Sequence, residues 1–466
     1  MAYIKSKGIR VRRFYRKALI IYILLVNVSL FLIFDSLVYF FIGTDSMGIF
    51  GIGLGVSVIL SGLGTFALFY KPLNNSFNKM MQKQKVARMV ESNKFYETKR
   101  VTKSGMNGKS VSKDKISYYP KIFYKVKEGY LFIRFPMDMS KFQDKYLDLG
   151  KTFENGLYCD VLEKELEDGY VKYKLLYDAS INRIDINEVV ASNGKIKLMK
   201  HIEWEYDSVP HMLIAGGTGG GKSYFILALI YAFLKIDAEI FVIDPKNADL
   251  ADLETIMPGK VFYKKGGIIG LLRTIVKDMM ERWEQVKQRD DYVTGNNYAV
   301  FGLPPVFLIF DEYAAFMDTL DYKESAEAMG MVKQIVLLGR QAGYFLILAA
   351  QRPDAKYLAD GIRDQFGFRA SLGKMSETGY QMMFGDTDKA FVYKKIRGRG
   401  YADTGAMQIS EFFSPLVPKG FEFLCEMDKV IQKKNAKKLD EVVGAWSAYA
   451  DNGSGSDRTQ SNSEGA

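Results

Sequence analysis

The stretch of sequence that decides the fold runs from His211 to Ser223 and reads HMLIAGGTGGGKS. It opens with an apolar run typical of a strand and continues into a glycine-rich loop. A second apolar run, residues 225–234, follows and is typical of a helix. The spacing GxxxxGKS in this strand–loop–helix context predicts a loop that binds nucleotide phosphates.

The residue types in the loop match the chemistry of phosphate binding. Backbone N–H groups must turn inward onto the phosphates, and glycine keeps side chains out of their way, while the helix N-terminus favours anions. We expect Lys222 to reach the β- and γ-phosphates of ATP and Ser223 to ligate Mg²⁺. The expected nucleotide-binding residues are Gly216, Gly217, Thr218, Gly219, Gly220, Gly221, Lys222 and Ser223.

A second buried-strand pattern, Val306–Phe310, ends in the acids Asp311 and Glu312. We expect Asp311 to hold Mg²⁺ through water and Glu312 to act in catalysis by orienting or polarising the attacking water. The alternative is an ordinary strand that ends in a solvated acidic pair. The phosphate loop in the same chain favours the catalytic interpretation.

Residues 345–350 form a third apolar run, which ends at Gln351. In P-loop ATPases with an acid pair like this one, which the sequence resembles, the next strand inserts between the acid-pair strand and the loop strand. This resemblance implies that the Gln351 amide lies beside the γ-phosphate and senses hydrolysis. A surface glutamine before a proline is the alternative. An earlier strand, Glu239–Ile243, continues the alternation of strands and helical stretches. The pattern predicts a parallel α/β sheet with its ligand at the carboxyl ends of the strands.

The N-terminal region contains two apolar runs, Ala18–Ile42 and Met47–Tyr70, separated only by residues 43–46. A helix needs about 20 residues to cross a bilayer, so the runs predict an antiparallel two-helix transmembrane hairpin, and not a cleavable signal peptide. Basic residues precede the first run and follow the second. This pattern predicts a cell-membrane protein with both termini in the cytoplasm. We interpret the basic clusters as contacts with anionic lipid in preference to DNA.

Two features within the apolar runs have alternative interpretations. Gly51 and Gly55 have the spacing of a close helix contact, either with the partner span or with a neighbouring subunit. Asp35 is an acid at membrane depth, which is costly. It is either functional, or located near the interface, or turned toward another protein.

The middle of the chain has strand character and carries no catalytic pattern. Residues 122–126 and 130–135 predict a hairpin that turns at Glu128-Gly129, and residues 161–166 and 170–177 predict another around Asp168-Gly169. Residues 140–150 predict a helix with Ser140 as its N-cap. A small α+β module of this kind is interpreted as an adaptor or oligomerisation domain.

Composition excludes some classes of site. The chain has 466 residues and a formal net charge of +10, a mild excess that is compatible with nucleic acid or an anionic membrane as partner. Two cysteines, Cys159 and Cys425, and two histidines, His201 and His211, are too few for a Cys/His zinc site or a disulfide framework. We interpret the cysteines as reduced packing residues and His211 as a packing residue at the start of its strand.

Several motifs together resemble the FtsK/SpoIIIE family of DNA translocases. They are residues 210–216 (PHMLIAG) before the loop, 243–246 (IDPK), 280–283 (MERW), 311–313 (DEY) and 350–353 (AQRP). The resemblance covers roughly residues 195–405 in order. It implies an α/β, RecA-like P-loop ATPase motor domain, usually a homo-hexamer, that threads DNA through a central channel using ATP.

The layout differs from that of the family's chromosome pumps. Those carry more membrane spans, a long linker and a C-terminal winged-helix module, for which too little chain remains after about residue 418. The shorter layout resembles the FtsK-like coupling proteins of Gram-positive conjugative elements, which implies a relaxase and conjugation channel proteins as partners. The expected organisation is a cytoplasmic basic N-terminus (1–17), two transmembrane helices (18–70), a basic linker (71–115), the α+β module (116–194), the ATPase domain (195–418), a C-terminal extension (419–451) and a disordered tail (452–466).

The basic residues of the motor have less certain roles from sequence alone. The resemblance implies that a neighbouring subunit supplies an arginine to the γ-phosphate, and the candidates are Arg340, Arg363 and Arg369. A surface or salt-bridge role is the alternative for each. A cluster around Gly398 and Gly400 either touches DNA phosphates or forms a solvated hairpin. Its members are Lys394, Lys395, Arg397 and Arg399.

Four functions remain open at this stage. The first is a DNA-translocating ATPase that serves conjugation, and the second is a chromosomal DNA pump of the same family. The third is a related ATPase that drives protein secretion, although such ATPases typically string several motor domains in one chain and this sequence has one phosphate loop. The fourth is a membrane receptor for relaxase–DNA complexes that uses nucleotide only as a switch.

Overall fold

The computed structural model describes residues 7–42, 47–70, 75–104, 110–157, 159–176, 178–353, 358, 360–387, 389–405 and 408–453. The chain forms two compact units, Met1–Ile181 and Asn182–Ala466. The second unit therefore begins earlier than the expected boundary before residue 195. That boundary would have cut a three-stranded sheet, because residues 191–192 pair with residues 195–196.

The elements of the first unit are five helices and seven strands among the described residues. The helices are α1 (Ala18–Ile42), α2 (Met47–Tyr70), α3 (Asn75–Ser92), α4 (Gln143–Leu147) and α5 (Gly150–Leu157). The strands are β1 (Ile9–Val11), β2 (Glu97–Ser104), β3 (Ser110–Tyr118), β4 (Ile122–Lys127), β5 (Tyr130–Pro136), β6 (Asp160–Glu167) and β7 (Tyr170–Leu176).

Helices α1 and α2 coincide with the two apolar runs and pack together. The Asn27 side-chain amide donates to the Thr65 hydroxyl at 3.1 Å, and Gly64 lies close to the Leu30 side chain. Among the described helices one, over Ile20–Leu37, is long and apolar enough to cross a membrane, and α2 has a shorter apolar stretch, Gly51–Thr65. The helical pair is therefore observed, while the membrane anchoring, the two spans and the orientation of the termini stay predictions.

The region expected to be a basic linker, residues 71–115, contains helix α3 and the β2–β3 hairpin, so that expectation is wrong. Helix α3 buries Val86, Ala87 and Val90 in the core of the first unit. These apolar residues span little more than one turn, and the other buried residues among those described in the helix, Gln82 and Gln84, are polar, so the sequence gives no strong apolar period. Among the described strands, β2 and β3 pair only with each other, in a separate two-stranded sheet.

The remaining strands of the first unit form an antiparallel sheet in the order β1-β4-β5-β7-β6. The two hairpins expected from sequence are confirmed, with turns at Glu128-Gly129 and Asp168-Gly169. The single helix expected over residues 140–150 is wrong, because α4 begins only at Gln143 and has no side-chain cap. The Ser140 side chain instead forms a hydrogen bond with the Tyr118 hydroxyl at 3.3 Å.

The elements of the second unit surround an eight-stranded sheet. Its helices are α6 (Lys222–Leu234), α7 (Lys265–Lys287), α8 (Tyr313–Met317), α9 (Tyr322–Ala342), α10 (Asp360–Arg363), α11 (Glu377–Phe384) and α12 (Phe423–Gly453). Its strands are β8 (Ala191–Ser192), β9 (Lys195–Met199), β10 (Ile202–Trp204), β11 (Met212–Gly216), β12 (Glu239–Ile243), β13 (Val261–Phe262), β14 (Val306–Phe310), β15 (Tyr344–Ala350), β16 (Phe368–Leu372), β17 (Arg399–Asp403) and β18 (Ser410–Phe413).

The large sheet has the order β13-β12-β14-β15-β11-β16-β17-β18. It is parallel from β13 to β16, and β17 and β18 add antiparallel strands at one edge. Strand β15 lies between β14 and β11, as expected from the sequence. Strands β11, β14 and β15 are buried along their whole length, because helices cover both faces of a parallel sheet. This order brings the carboxyl ends of three strands to one edge.

The C-terminal extension expected at residues 419–451 is largely the helix α12. It is anchored beside the end of α6, where the Lys434 ammonium donates to the Ile236 carbonyl at 2.8 Å. Of the tail expected to be disordered, residues 454–466 lie outside the described residues.

His211 holds the start of β11 in place, as the packing role expected from sequence requires. Its side chain is fully buried, and its backbone has a φ of +62°. Nδ1 accepts the N–H of Leu346 at 3.0 Å, so Nε2 carries the proton and donates to the Val336 carbonyl at 3.1 Å. One neutral imidazole thus joins β11, β15 and α9, and burial lowers its pKa to about 4.

The substitution His211→Asn tests this role, since asparagine tolerates a positive φ. Between pH 6.5 and 4, His211 is protonated in the unfolded protein and neutral in the folded protein. Its contribution to stability is therefore full above about pH 6.5 and falls with pH, by about 3 kcal/mol in total. We expect the unaltered protein to melt at a higher temperature than the variant at pH 7, with the difference shrinking toward pH 4. A difference in melting temperature that stays constant over this range would contradict the assignment.

Candidate nucleotide site

The glycine-rich loop joins the end of β11 to the start of α6. Gly219 and Gly221 have φ values of +77° and +102°, and Gly221 occupies the N-cap of α6. The N–H of Gly220 donates to the Gly217 carbonyl at 3.0 Å. The loop therefore turns tightly at positions where only glycine is free of backbone strain.

The loop is supported from below by the end of β16. A Cβ atom on Gly216 or Gly220 would lie 2.8 Å or 2.7 Å from the Leu372 carbonyl oxygen. The N–H of Gly398 donates to the Gly220 carbonyl at 3.1 Å, and the Gly221 position lies against the Gly398 backbone. Backbone atoms of Leu372 and Gly398, which are far from the loop in sequence, thus fix the position of the loop.

The role of Gly398 was missed in the sequence analysis, where it marked only a basic cluster. Its carbonyl accepts the N–H of Ser414 at 2.7 Å, and the Ser414 carbonyl in turn accepts from Arg183 at 2.7 Å. A positive φ of +74° requires glycine at position 398. No local signal in the sequence identifies which loop this glycine touches.

The Lys222 ammonium lies between the two acids at the end of β14. Its Nζ is 2.8 Å from Asp311 Oδ1 and 2.6 Å from Glu312 Oε1. Lys222 is 8% exposed and Asp311 7% exposed. A buried charge is tolerated when it is paired and hydrogen-bonded, so the three side chains form one electrostatic unit. The proximity of loop and acid pair expected from the sequence is confirmed.

Glu312 is held by a second cation as well. Its Oε2 lies 3.1 Å from Lys246 Nζ, and its backbone adopts a left-handed φ of +49° at the N-cap of α8. Burial raises the pKa of the Glu312 carboxyl, but hydrogen bonds and charge from Lys222 and then Lys246 outweigh it, so the net shift is downward. The carboxylate is ionised and aimed at the loop.

Asp244 builds the turn that presents Lys246. Its buried carboxylate accepts the N–H groups of Lys246, Ala248 and Ala251 at 3.2, 2.8 and 3.2 Å. Burial raises the pKa of Asp244, and these N–H groups oppose that rise. In the motif IDPK, Asp244 thus has a structural role, while the exposed Lys246 pairs with Glu312. The sequence alone did not assign these two roles.

Ser223 follows the phosphate loop, and Gln351 follows strand β15. Ser223 is half-buried in the first turn of α6, and Gln351 is exposed directly after β15. Strand β15 pairs with β11 up to Ala350 and with β14 up to Leu348, so Gln351 follows the strand that separates loop and acid pair. The sensing role of Gln351 stays a prediction.

The three candidate arginines have different surroundings. Arg369 donates to three backbone carbonyls, those of Phe366, Met383 and Arg363, which supports a structural role. Arg363 donates to the Met382 carbonyl at 3.3 Å. Arg340 is exposed and donates to the Asp207 carbonyl at 3.0 Å. A role in trans stays a prediction for each.

The basic cluster around Gly398 is only partly solvated. Arg399 is 3% exposed and pairs with Glu411 at 2.6 Å, and it also donates to the Val392 carbonyl. Lys394 reaches the same Glu411 carboxylate at 3.2 Å. Arg399 is therefore a core residue, which corrects its place among the residues that would touch DNA.

The residues present fit a magnesium-bound nucleoside triphosphate. The loop is open at Gly219, where an added Cβ atom would meet no atom of a described residue within 4 Å other than those of its chain neighbours. The Lys222 ammonium already binds two carboxylates. A phosphate is also an anion and can bind to the same ammonium. Asp311 and Ser223 supply the oxygen ligands that Mg²⁺ prefers.

This arrangement defines a class of protein. The phosphate loop follows one central parallel strand, and the acid pair follows a second strand two positions away in the sheet, with a third strand inserted between them. These features define a P-loop ATPase motor fold. The family model of the FtsK/SpoIIIE family matches residues 185–291. The chain is also 54% identical over 404 residues to the FtsK domain-containing protein YdcQ of Bacillus subtilis (strain 168), with 86% of this chain and 82% of that one covered. The protein belongs to the FtsK/SpoIIIE family of P-loop ATPases.

Two further similarities complete the comparison. The chain is 28% identical over 246 residues to the DNA translocase FtsK of Helicobacter pylori (strain ATCC 700392 / 26695), covering 49% of this chain and 27% of that one. The structure is also similar to the solved structure of the pCW3 conjugation coupling protein TcpA, in its monomer form with ATPγS. The match covers 74% of this chain and 98% of the TcpA chain. Its TM-score is 0.49 and its sequence identity 20%.

The support under the loop predicts the effect of Gly398→Ala. The added methyl group would clash with the Ser414 side chain and strain a positive φ. We expect a loss of about 1 kcal/mol in stability and an affinity for a fluorescent ATP analogue that falls about tenfold. Gly259→Ala is the matched control, because Gly259 has a φ of +75° with open space around it. Equal ATP affinity in the two variants would contradict the supporting role.

Proposed function

We propose that this protein is a membrane-anchored, ATP-driven DNA translocase, and that it delivers relaxase-bound DNA to a conjugation channel. The observation that carries the proposal is the buried unit of Lys222, Asp311 and Glu312. Family membership supports DNA as the substrate, since the FtsK relative is a DNA translocase. The apolar helix pair α1–α2 in the same chain supports the membrane anchor.

The proposed chemistry assigns one task to each side chain of the site. Bound Mg-ATP supplies the phosphoanhydride bond that is hydrolysed. Lys222 would bind the β- and γ-phosphates, and Ser223 and Asp311 would hold Mg²⁺, which would supply positive charge to the phosphates. Glu312 orients a water molecule and accepts its proton. Gln351 contacts the γ-phosphate and reports its loss to the rest of the sheet.

A ring of subunits completes the proposed motor, and we propose a homo-hexamer. In such rings the nucleotide lies between subunits, and a neighbour supplies the arginine. Arg340 is the best of the three candidates, because it is exposed and lies in the last turn of α9, which leads into the start of β15 and so lies at the opposite end of the strands from the loop. Arg369 is the weakest, since backbone carbonyls already occupy its guanidinium.

ATP hydrolysis by the purified full-length protein, with and without DNA, tests the proposal. We expect Lys222→Ala to abolish nucleotide binding and Glu312→Gln to bind ATP but hydrolyse it at least about 100-fold more slowly. Single- or double-stranded DNA should stimulate the unaltered protein. Stimulation by peptides with indifference to DNA would favour a secretion ATPase instead.

A mating assay distinguishes the motor from a receptor. We expect Lys222→Ala and Glu312→Gln to abolish DNA transfer, because each removes a step that a motor needs in every cycle. Transfer that survives in both variants would mean that the protein binds relaxase–DNA complexes without pumping. A chromosome-segregation defect with intact transfer would favour the chromosomal pump.

The proposed two-span topology has its own test. A cysteine introduced at Thr44, between the helices, should react with a membrane-impermeant maleimide in intact cells, and one at Ser92 should not. Cys425 is exposed, so both variants are made in a Cys425→Ser background. Equal labelling of the two positions would exclude the proposed orientation of the hairpin.

A further inference from the structure

The β2–β3 hairpin is a basic arm of the first unit. Its strands of 8 and 9 residues reach about 27 Å at about 3.4 Å per residue. Side chains tie its base to the first unit, where the Tyr118 hydroxyl donates to Asp138 at 2.9 Å and Lys141 pairs with Glu97 at 3.0 Å. A two-stranded ribbon is only marginally stable in water by itself.

The register of the hairpin gathers lysines on one face. Lys99 lies directly opposite Lys115, and Lys113 lies opposite Val101. Residues two apart along a strand share a face, so Lys99, Lys113 and Lys115 form what we name the lysine face. All three are exposed. The acid Asp114 lies on the other face, opposite Arg100.

This arrangement is costly unless an anion is bound. Like charges directly opposite each other destabilise a strand pair, and the ribbon has little stability to lose. The opposite face uses its polar groups conventionally, since Arg100 donates to the Ser112 hydroxyl at 3.1 Å. A sequence that places Lys99 against Lys115 thus sacrifices stability at one position, which is typical of a functional surface.

We propose that the lysine face binds the phosphate backbone of DNA; this inference rests on the proposed function, which makes DNA the substrate. Contacts with phosphate need charge and no base recognition. Lys113 and Lys115 are about 7 Å apart along the strand. This distance is close to twice the spacing of about 3.4 Å, along the DNA helix axis, between successive phosphates of one strand. The arm gives the first unit a grip on DNA that is separate from the motor.

The composition of the face favours DNA over a lipid surface. Among residues 99, 101, 113 and 115, which share this face, the large apolar residue is Val101, and it is half-buried. Segments that lie on a membrane insert exposed apolar side chains beside their basic residues. A two-stranded ribbon also has the width that the major groove of a duplex admits.

The test uses the full-length protein in nanodiscs with the triple variant Lys99→Gln, Lys113→Gln and Lys115→Gln. Binding to fluorescein-labelled duplex and single-stranded DNA of arbitrary sequence is titrated at several salt concentrations. We expect affinity to fall at least about tenfold. The slope of log Kd against log salt for duplex should fall by about 2.7, from about 0.9 for each lost phosphate contact. ATPase activity without DNA should stay unchanged.

Two control variants separate charge from folding. Arginine at the same three positions should keep DNA affinity, because phosphate binding needs only the charge. Glutamine at Lys121, Lys127 and Lys145, exposed lysines of the same unit outside the hairpin, should leave it unchanged. The hairpin glutamine variant should melt no lower than the unaltered protein, since the repulsion between opposed lysines is gone.

Each remaining outcome has a defined meaning. Unchanged DNA affinity and salt slope in the hairpin variant would overturn the inference while leaving the proposed function intact. Failure of the unaltered protein to bind DNA would overturn the proposed function itself. The lysine face would be a lipid contact if the variant kept its DNA affinity but lost a difference in ATPase activity between phosphatidylglycerol and phosphatidylcholine nanodiscs.

Discussion

The structure depends on one buried ammonium held between two carboxylates. Lys222 is the first residue of α6, and Asp311 and Glu312 follow β14, so their ion pairs exist only if two strands end at the same level. Breaking a buried pair leaves an uncompensated charge, which costs far more than losing a surface pair. The strand order of the sheet, with β15 between β11 and β14, is the arrangement that satisfies this constraint.

Other parts of the motor hold that cluster in register from both ends of β11. At the start of the strand, the neutral imidazole of His211 joins β15 and α9. At its end, backbone atoms of Leu372 and Gly398 lie under the phosphate loop. These supports are uncharged, so they position the loop without competing for the phosphates that Lys222 binds.

The first unit follows a different physical rule. Its core is an ordinary antiparallel sheet with helices, in which apolar residues alternate along the strands. The β2–β3 hairpin departs from that rule by opposing Lys99 to Lys115. A motor that advances along a polyanion benefits from a second, weaker contact, because the polyanion stays bound while the ATPase site exchanges its nucleotide. Electrostatic contact of this kind is independent of sequence.

The sequence by itself determined the phosphate loop, the acid pair and the strand between them, because glycine spacing and apolar runs are local signals of backbone geometry. Only the tertiary structure decided that Lys246 pairs with Glu312, that Gly398 supports the loop and that Arg399 is buried. It also decided the structure of residues 75–104 and 110–115, whose few apolar positions give no strong period. Such contacts join residues far apart in the chain, and sheet register, which no single segment encodes, sets which of them meet.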